Sequence, residues 1–418
     1  MKEFDKIIGY ENVKNELYQV IDIFKNKKKY EEMGAKLPRG VLIYGNPGLG
    51  KTMLAEALIK ACDVPTFSIK NNKSEKELIE EINDAFAKAS ENDNSIVFLD
   101  DLDKYSEEDK ENMDSKLFVT LQTNIDSVKD KNVLVICTVN NFRKFPHSLV
   151  RNGRFDRKIC LQAPSDDEAA KIIEFYLKSK KIDKDLNFED VSKMISYTSC
   201  ADLETILNES AILAAYGNKE YIGIKDIVKA YIRDQYDCGD DDYECSQDEI
   251  DKTALHEAGH IVVAEALREG SVGFVTIQPM RKDVMRGFTH LCVEFRRRPE
   301  HILVGLGGKV ACEQFYEGRC ASGCQSDLAK VVELIKGGVF TSGTLGVGFL
   351  DVSGEPNDVK ESMVKGEIER NLFRVKDILL KNKEFLLKLS KELAKKKVLL
   401  YSDIRRIRES IVLTPYTA

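Results

Sequence analysis

The sequence predicts three successive regions: an α/β domain on a parallel sheet, a small helical subdomain and a mainly α-helical C-terminal domain. Three observations carry this. Short apolar runs alternate with helix-period segments through the first part of the chain. Strand signals vanish between Ser165 and Arg233, where helical periodicity takes over. An acidic, apolar-poor stretch from Asp237 to Glu244 then precedes a new helical region. The expected division is 1–162, 163–235, a linker at 236–250, and 251–418.

In chain order, Val13, Leu17, Val20, Ile21 and Phe24 recur at helical spacing and open the chain with an amphipathic helix. Val41 to Tyr44, Thr66 to Ile69, Ile96 to Leu99 and Val133 to Thr138 read as buried strands. Between them lie a helix from Lys51, another near Glu75 to Lys88, and a third before Val133. Ile206, Leu207, Ala211, Leu213 and Ala214 mark the helical subdomain. Beyond Ile250 come a helix, strand-like stretches at Phe274 to Ile277 and Thr289 to Phe295, and long helices near Val359 to Lys397.

Composition narrows the function. With 418 residues, 43% hydrophobic and 32% charged, the chain has room for several cores and is neither disordered nor fibrous. Its 63 Lys and Arg against 70 Asp and Glu leave a charge of −7 and no long basic stripe, which argues against a nucleic-acid binder. Residues 1–30 are charged throughout, and the longest uncharged stretch, Gly337 to Leu350, is too short to cross a bilayer. The expectation is a cytoplasmic chain without a membrane span. Ten scattered cysteines then read as reduced thiols.

Gly45-Asn46-Pro47-Gly48-Leu49-Gly50-Lys51-Thr52, followed by Met53, stands between a strand and a helix and fits a phosphate-binding loop. Such a loop closes backbone N–H groups around phosphate oxygens. Lys51 neutralises their charge, and the Thr52 hydroxyl is a ligand for Mg²⁺. Ile96 to Leu99 delivers Asp100 and Asp101 at its C-terminal end, Asp100 for the Mg²⁺ of ATP and Asp101 to orient the attacking water. Asn140, after the strand ending at Thr138, offers an amide for the same water. Arg151 and Arg154 are either cationic donors for transition-state phosphate charge or partners in surface ion pairs.

His256-Glu257-Ala258-Gly259-His260 places two imidazoles four residues apart, on one face of a helix, where they can share Zn²⁺. Glu257 stands beside them as a base toward water. A third ligand is needed, and the position six residues beyond the motif is Ala266. Asp327, His290 and His301 all remain open on spacing alone.

This order of motifs resembles the FtsH family of ATP-dependent zinc metalloproteases, an AAA+ module fused to a peptidase, from about Phe4 to Ile407. The resemblance rests on the phosphate loop, Asn140, Arg151 to Arg157, Cys200-Ala201-Asp202-Leu203 with Asn208-Glu209, His256 to His260, Gly307 to Ala311, and Ser322 to Leu328. It implies an AAA+ P-loop domain with a helical lid and a mainly α-helical zinc metallopeptidase domain. It also implies Ile8 and Gly9 near the adenine, Asp327 as third zinc ligand, and Arg151 and Arg154 as arginine fingers of a hexamer. The implied activity is ATP-driven threading of protein substrates into a chamber where peptide bonds are cut.

The departures generate expectations too. Family members usually begin with membrane spans, which this sequence lacks, so a mixed ring with a membrane-anchored relative is one expected assembly beside the homo-hexamer. The stretch Asn71 to Lys76 has no aromatic residue where the family carries a pore grip. Asp101 stands for a Glu, which draws the carboxylate back by roughly 1.5 Å and predicts slow hydrolysis. Cys312 replaces an acidic residue in the Gly-Gly-Lys helix. The alternative function is a nucleotide-dependent remodelling or adaptor subunit with little proteolysis.

Overall fold

The structure is a computed structural model that describes residues 2–36, 38–69, 74–102, 116–151, 153–196, 198–236, 245–277, 287–295, 297–316, 324–342, 344–345 and 357–417. The acidic stretch 237–244 and residues 71–73 of the stretch Asn71 to Lys76 lie outside them. The chain divides into two compact units, 1–179 with 197–205, and 180–196 with 206–418.

The first unit runs α1 (Glu11–Lys25), α2 (Lys27–Glu32), β1 (Gly40–Tyr44), α3 (Lys51–Cys62), β2 (Thr66–Ile69), α4 (Glu75–Ser90), β3 (Ser95–Leu99), α5 (Lys116–Ser127), β4 (Val133–Val139), β5 (Arg157–Cys160) and α6 (Asp166–Leu177). The strands form one parallel five-stranded sheet in the order β2-β3-β4-β1-β5. Alternate residues of each strand feed different layers. Leu42, Val97 and Val135 pack with Phe86 and Leu121 of α4 and α5, whereas Val41, Ile96 and Ile136 pack with Leu17 and Leu58 of α1 and α3. Both faces are covered, which is why β3 and β4 read as continuous apolar runs. The edge strand β5 went unrecognised in the sequence because only Ile159 of its four residues is buried. Ser74 opens α4 with a capping box, its N–H donating to Glu77 Oε2 at 3.0 Å.

The second unit contains α7 (Phe188–Met194), most of α8 (Cys200–Tyr216), α9 (Ile224–Tyr236), α10 (Gln247–Leu267), β6 (Val272–Thr276), β7 (Phe288–Leu291), α11 (Arg298–Phe315), α12 (Gln325–Lys336), α13 (Asn357–Lys381), α14 (Lys383–Lys396), β8 (Val398–Leu400) and α15 (Tyr401–Glu409). The strands make a small antiparallel sheet, β7-β6-β8, whose third member the sequence reading lacked. From Ala258 to Ala266 every residue of α10 is buried, so this helix is the axis of its core. It crosses α11 without intervening side chains: a Cβ on Gly259 would lie 2.4 Å from the Gly307 carbonyl oxygen, and one on Gly307 2.6 Å from that of Gly259. Among the described residues no helix is long and apolar enough to cross a membrane.

Candidate nucleotide site and metal centre

The first unit gathers its polar residues at the C-terminal ends of β1, β3 and β4. Lys51, only 5% exposed, donates from Nζ to the Asn46 carbonyl at 2.8 Å, within the loop that links β1 to α3. Met53 is exposed on the first turn of that helix. Asp100 Oδ1 accepts from Thr52 Oγ1 at 3.0 Å and from Thr138 Oγ1 at 2.6 Å. Thr138 in turn accepts the Asp101 N–H at 2.8 Å, and Asn140 Nδ2 donates to Asp101 Oδ1 at 3.2 Å. A hydroxyl and a carboxylate in contact suit a shared Mg²⁺. Asp101 itself adopts a left-handed backbone, φ 52°. Thr138 was not among the sequence-based candidates; the available signal was a Thr in β4 one step beyond the register pair Leu99 and Cys137.

Ile8 and Gly9 precede Tyr10, which is tied to the α6 region: its N–H donates to Glu168 Oε1 at 2.7 Å and its hydroxyl to the Gln162 carbonyl at 3.0 Å. Burial, then the neighbouring Cys200, pushes the Tyr10 phenol well above its ordinary value. The backbone around Gly48 is held by the start of α8, where the Ala201 N–H donates to the Gly48 carbonyl at 3.1 Å. The two arginines differ. Arg151 is exposed. Arg154 donates to Asp126 Oδ2 at 2.8 Å, to the Ser148 carbonyl at 2.6 Å and to Gln122 Oε1 at 3.2 Å. Hydrogen bonding from Arg154 lowers the Asp126 carboxyl below its usual value.

In the second unit, α10 presents His256 and His260 one turn apart, and the first turn of α12 brings Asp327 against them. His256 Nε2 lies 3.2 Å from Asp327 Oδ2 and 3.1 Å from His260 Nε2, and the third side, from His260 Nε2 to Asp327 Oδ2, is 3.5 Å. A tetrahedral ion with bonds of about 2.0 Å needs ligand atoms about 3.3 Å apart, so the triangle fits Zn²⁺. Among the described residues this is the one group of His, Cys, Asp and Glu with metal-binding spacing. The Val304 carbonyl accepts from His260 Nδ1–H at 2.7 Å, leaving Nε2 with a lone pair toward the cluster. Cys324 Sγ approaches His256 Nδ1 at 3.7 Å.

Burial lowers the His260 pKa, but hydrogen bonding to Asp327 and the charges of Glu257 and Asp327 outweigh it and leave it raised. Asp327 shows the reverse balance: burial raises it, yet hydrogen bonds from His256 and His260 hold it far below the usual carboxylate range. Glu257 is 5% exposed and accepts from Thr289 Oγ1 at 2.6 Å, a partner that sequence spacing did not suggest. The other two ligand candidates lie elsewhere. His301 Nε2 donates to the Phe295 carbonyl at 2.6 Å, and His290 is held by Ser196 and Tyr231. Cys312 is buried in α11, its thiol directed to the Lys252 carbonyl at 3.8 Å.

Comparison with known proteins assigns a family model to each part of the chain. Residues 41–163 match the family model "ATPase family associated with various cellular activities (AAA)", and residues 244–358 match "Peptidase family M41". The "ATP-dependent zinc metalloprotease FtsH" of Borreliella burgdorferi (strain ZS7) is 29% identical over 97% of this chain and 69% of its own length. That of Karelsulcia muelleri (strain DMIN) is 27% identical over 97% of this chain and 70% of its own. FtsH 1 of Sphaerobacter thermophilus is 31% identical over 80% of this chain, which spans 53% of that relative. The chain thus carries an AAA ATPase domain followed by a Peptidase family M41 domain, and FtsH metalloproteases align with it over 97% of its length.

Proposed function

We propose that the chain is an ATP-dependent zinc metalloendopeptidase that uses ATP hydrolysis to unfold or thread protein substrates and cleaves them in its second unit. The observation that carries this reading is the triangle of His256 Nε2, His260 Nε2 and Asp327 Oδ2, close to the buried Glu257. When bound there, Zn²⁺ supplies Lewis acidity for water and the scissile carbonyl. Glu257 is the base that takes a proton from the attacking water and returns it to the departing amine. Val304 fixes the His260 tautomer, and Thr289 fixes the base.

For nucleotide, Gly45 to Thr52 cradle the phosphates, Thr52 and Asp100 hold Mg²⁺, Asp101 and Asn140 orient water, and Ile8 and Gly9 border the adenine. The chain divides functionally into ATPase (1–162), lid (163–235), linker (236–250) and peptidase (251–418). It assembles as a homo-hexamer in which the exposed Arg151 reaches a neighbour's nucleotide, while Arg154 braces that segment through Asp126. Free thiols among the described residues are consistent with a reducing, cytoplasmic setting. The metal triangle and the M41 match favour this reading over a remodelling or adaptor subunit.

Zinc content and degradation of a tagged folded protein test it together. Wild type is expected to bind zinc and degrade the protein only with ATP; E257Q keeps zinc and loses cleavage, and K51A keeps zinc and loses degradation of the folded protein even with ATP. Unchanged cleavage by zinc-loaded E257Q would refute the mechanism.

A further inference from the structure

Strand β7 is fastened on both of its faces. Pairing with β6 sets Thr289 opposite Val275 and His290 opposite Phe274, and successive side chains of a strand point to opposite sides. On one side Thr289 Oγ1 donates to Glu257 Oε2 at 2.6 Å. On the other, His290 lies 3.1 Å from Ser196 Oγ through Nε2 and 3.2 Å from the Tyr231 hydroxyl through Nδ1. Its ring also sits edge to face with Tyr231 at 5.9 Å, while Phe274 meets both Tyr231 and Phe288. The strand therefore has little freedom to slide or roll, and the hydroxyl it carries has a fixed position.

We propose that Thr289 is a positioning residue for Glu257, its hydroxyl setting the rotation of the carboxylate, with His290 anchoring the strand that carries it. This rests on the reading of Glu257 as the general base. A carboxylate with 5% exposure has little water to orient it, so a short hydrogen bond from a fixed hydroxyl decides where its oxygens lie. Proton transfer demands heavy-atom distances near hydrogen-bond length, and a misplacement of about 1 Å can cost on the order of 100-fold in rate.

The test compares T289V, which keeps the shape and loses the donor, with T289S, which keeps the donor, and with E257Q, all in the full chain. Cleavage of an unstructured fluorescent casein is followed at saturating zinc. The expected result is that kcat of T289V falls roughly 10- to 100-fold with KM changed less than about twofold, while T289S stays within about threefold of wild type. Zinc affinity, measured by competition with a chromophoric chelator, is expected to be unchanged in all variants. Infrared difference spectra of the metal-free protein against E257Q are expected to show the Glu257 carboxylate band shifted in T289V and restored in T289S. Wild-type kcat in T289V, or an unshifted band, overturns the positioning role. Equal losses in T289S and T289V overturn it as well, because the hydroxyl would then not be the operative group. If E257Q itself cleaves normally, it is the reading of the base that fails.

Discussion

Gly308 of α11 lies flat against the imidazole of His256: a Cβ at this position would stand 2.4 Å from the ring Cε1 and 2.6 Å from both ring nitrogens. The ring is rigid and cannot yield as a flexible chain end could. G308A is therefore expected to push His256 out of the triangle and lower zinc affinity by roughly 10- to 100-fold, the range seen when a ligand's support is altered. Chelator competition measures this, with circular dichroism confirming that the helices persist. Unaltered affinity would show that the helices part to admit the methyl.

Thr138 is the hub between the two carboxylates at the end of β3. T138V removes a hydroxyl that donates to Asp100 and accepts from the Asp101 N–H. Losing a hydrogen bond to a charged group is worth about 1.5–3 kcal/mol, so ATP turnover should fall by at least about tenfold. T138S should recover most of it. Steady-state phosphate release checks the rate, and a fluorescent nucleotide checks that binding survives.

His290 should make the second unit acid-sensitive. Burial pushes its pKa down to about 4 from the ordinary 6.5. Above the ordinary value the ring is neutral in both folded and unfolded chains. As pH falls below it, only the unfolded chain takes up the proton, so stability is lost progressively and the loss levels off once the folded pKa is passed. The full effect is at most about 3 kcal/mol. Urea unfolding at pH 7 and pH 4.5 should show a smaller decline for H290F than for wild type. An identical decline would assign the acid sensitivity to other groups.

Arg408 of α15 donates to Glu265 Oε2 at 2.6 Å, and the two residues are 9% and 2% exposed. Glu265 also accepts the N–H groups of Gly270 at 2.9 Å and Val272 at 3.1 Å. E265A leaves the Gly270 and Val272 N–H groups without their acceptor and Arg408 with only the exposed Glu269, and should cost about 2–4 kcal/mol. Denaturant titration reads this directly. A loss below about 1 kcal/mol would mean that water or Glu269, which already lies 2.9 Å from Arg408, takes over.

What could be read from the sequence was local. The buried strands β1, β3 and β4, the phosphate loop and the paired imidazoles each declare themselves within about ten residues, through apolar runs or fixed spacings. The third ligand did not, because Asp327 is 71 positions from His256 and is brought in by the packing of α12 on α11, which no periodicity encodes. Thr138 and Thr289 were missed for a related reason. A threonine in a strand is ordinary, and only the tertiary neighbour gives its hydroxyl a role. β8 is three residues long with a single buried side chain, too little alternation to separate it from the end of a helix. For Arg154 the sequence left a phosphate contact and an ion pair both open, and the partner, Asp126, is set by the fold.

The Gly259 and Gly307 crossing has a consequence for how the second unit tolerates change. Where two main chains touch, the contact is specified by atoms that are missing, and every replacement adds at least a methyl wedge. A saturation scan would therefore score both positions as nearly as intolerant as the imidazoles, although neither does any chemistry. Such a wedge would act as a lever, tilting the arm that bears His256 and His260 while leaving each of those side chains intact.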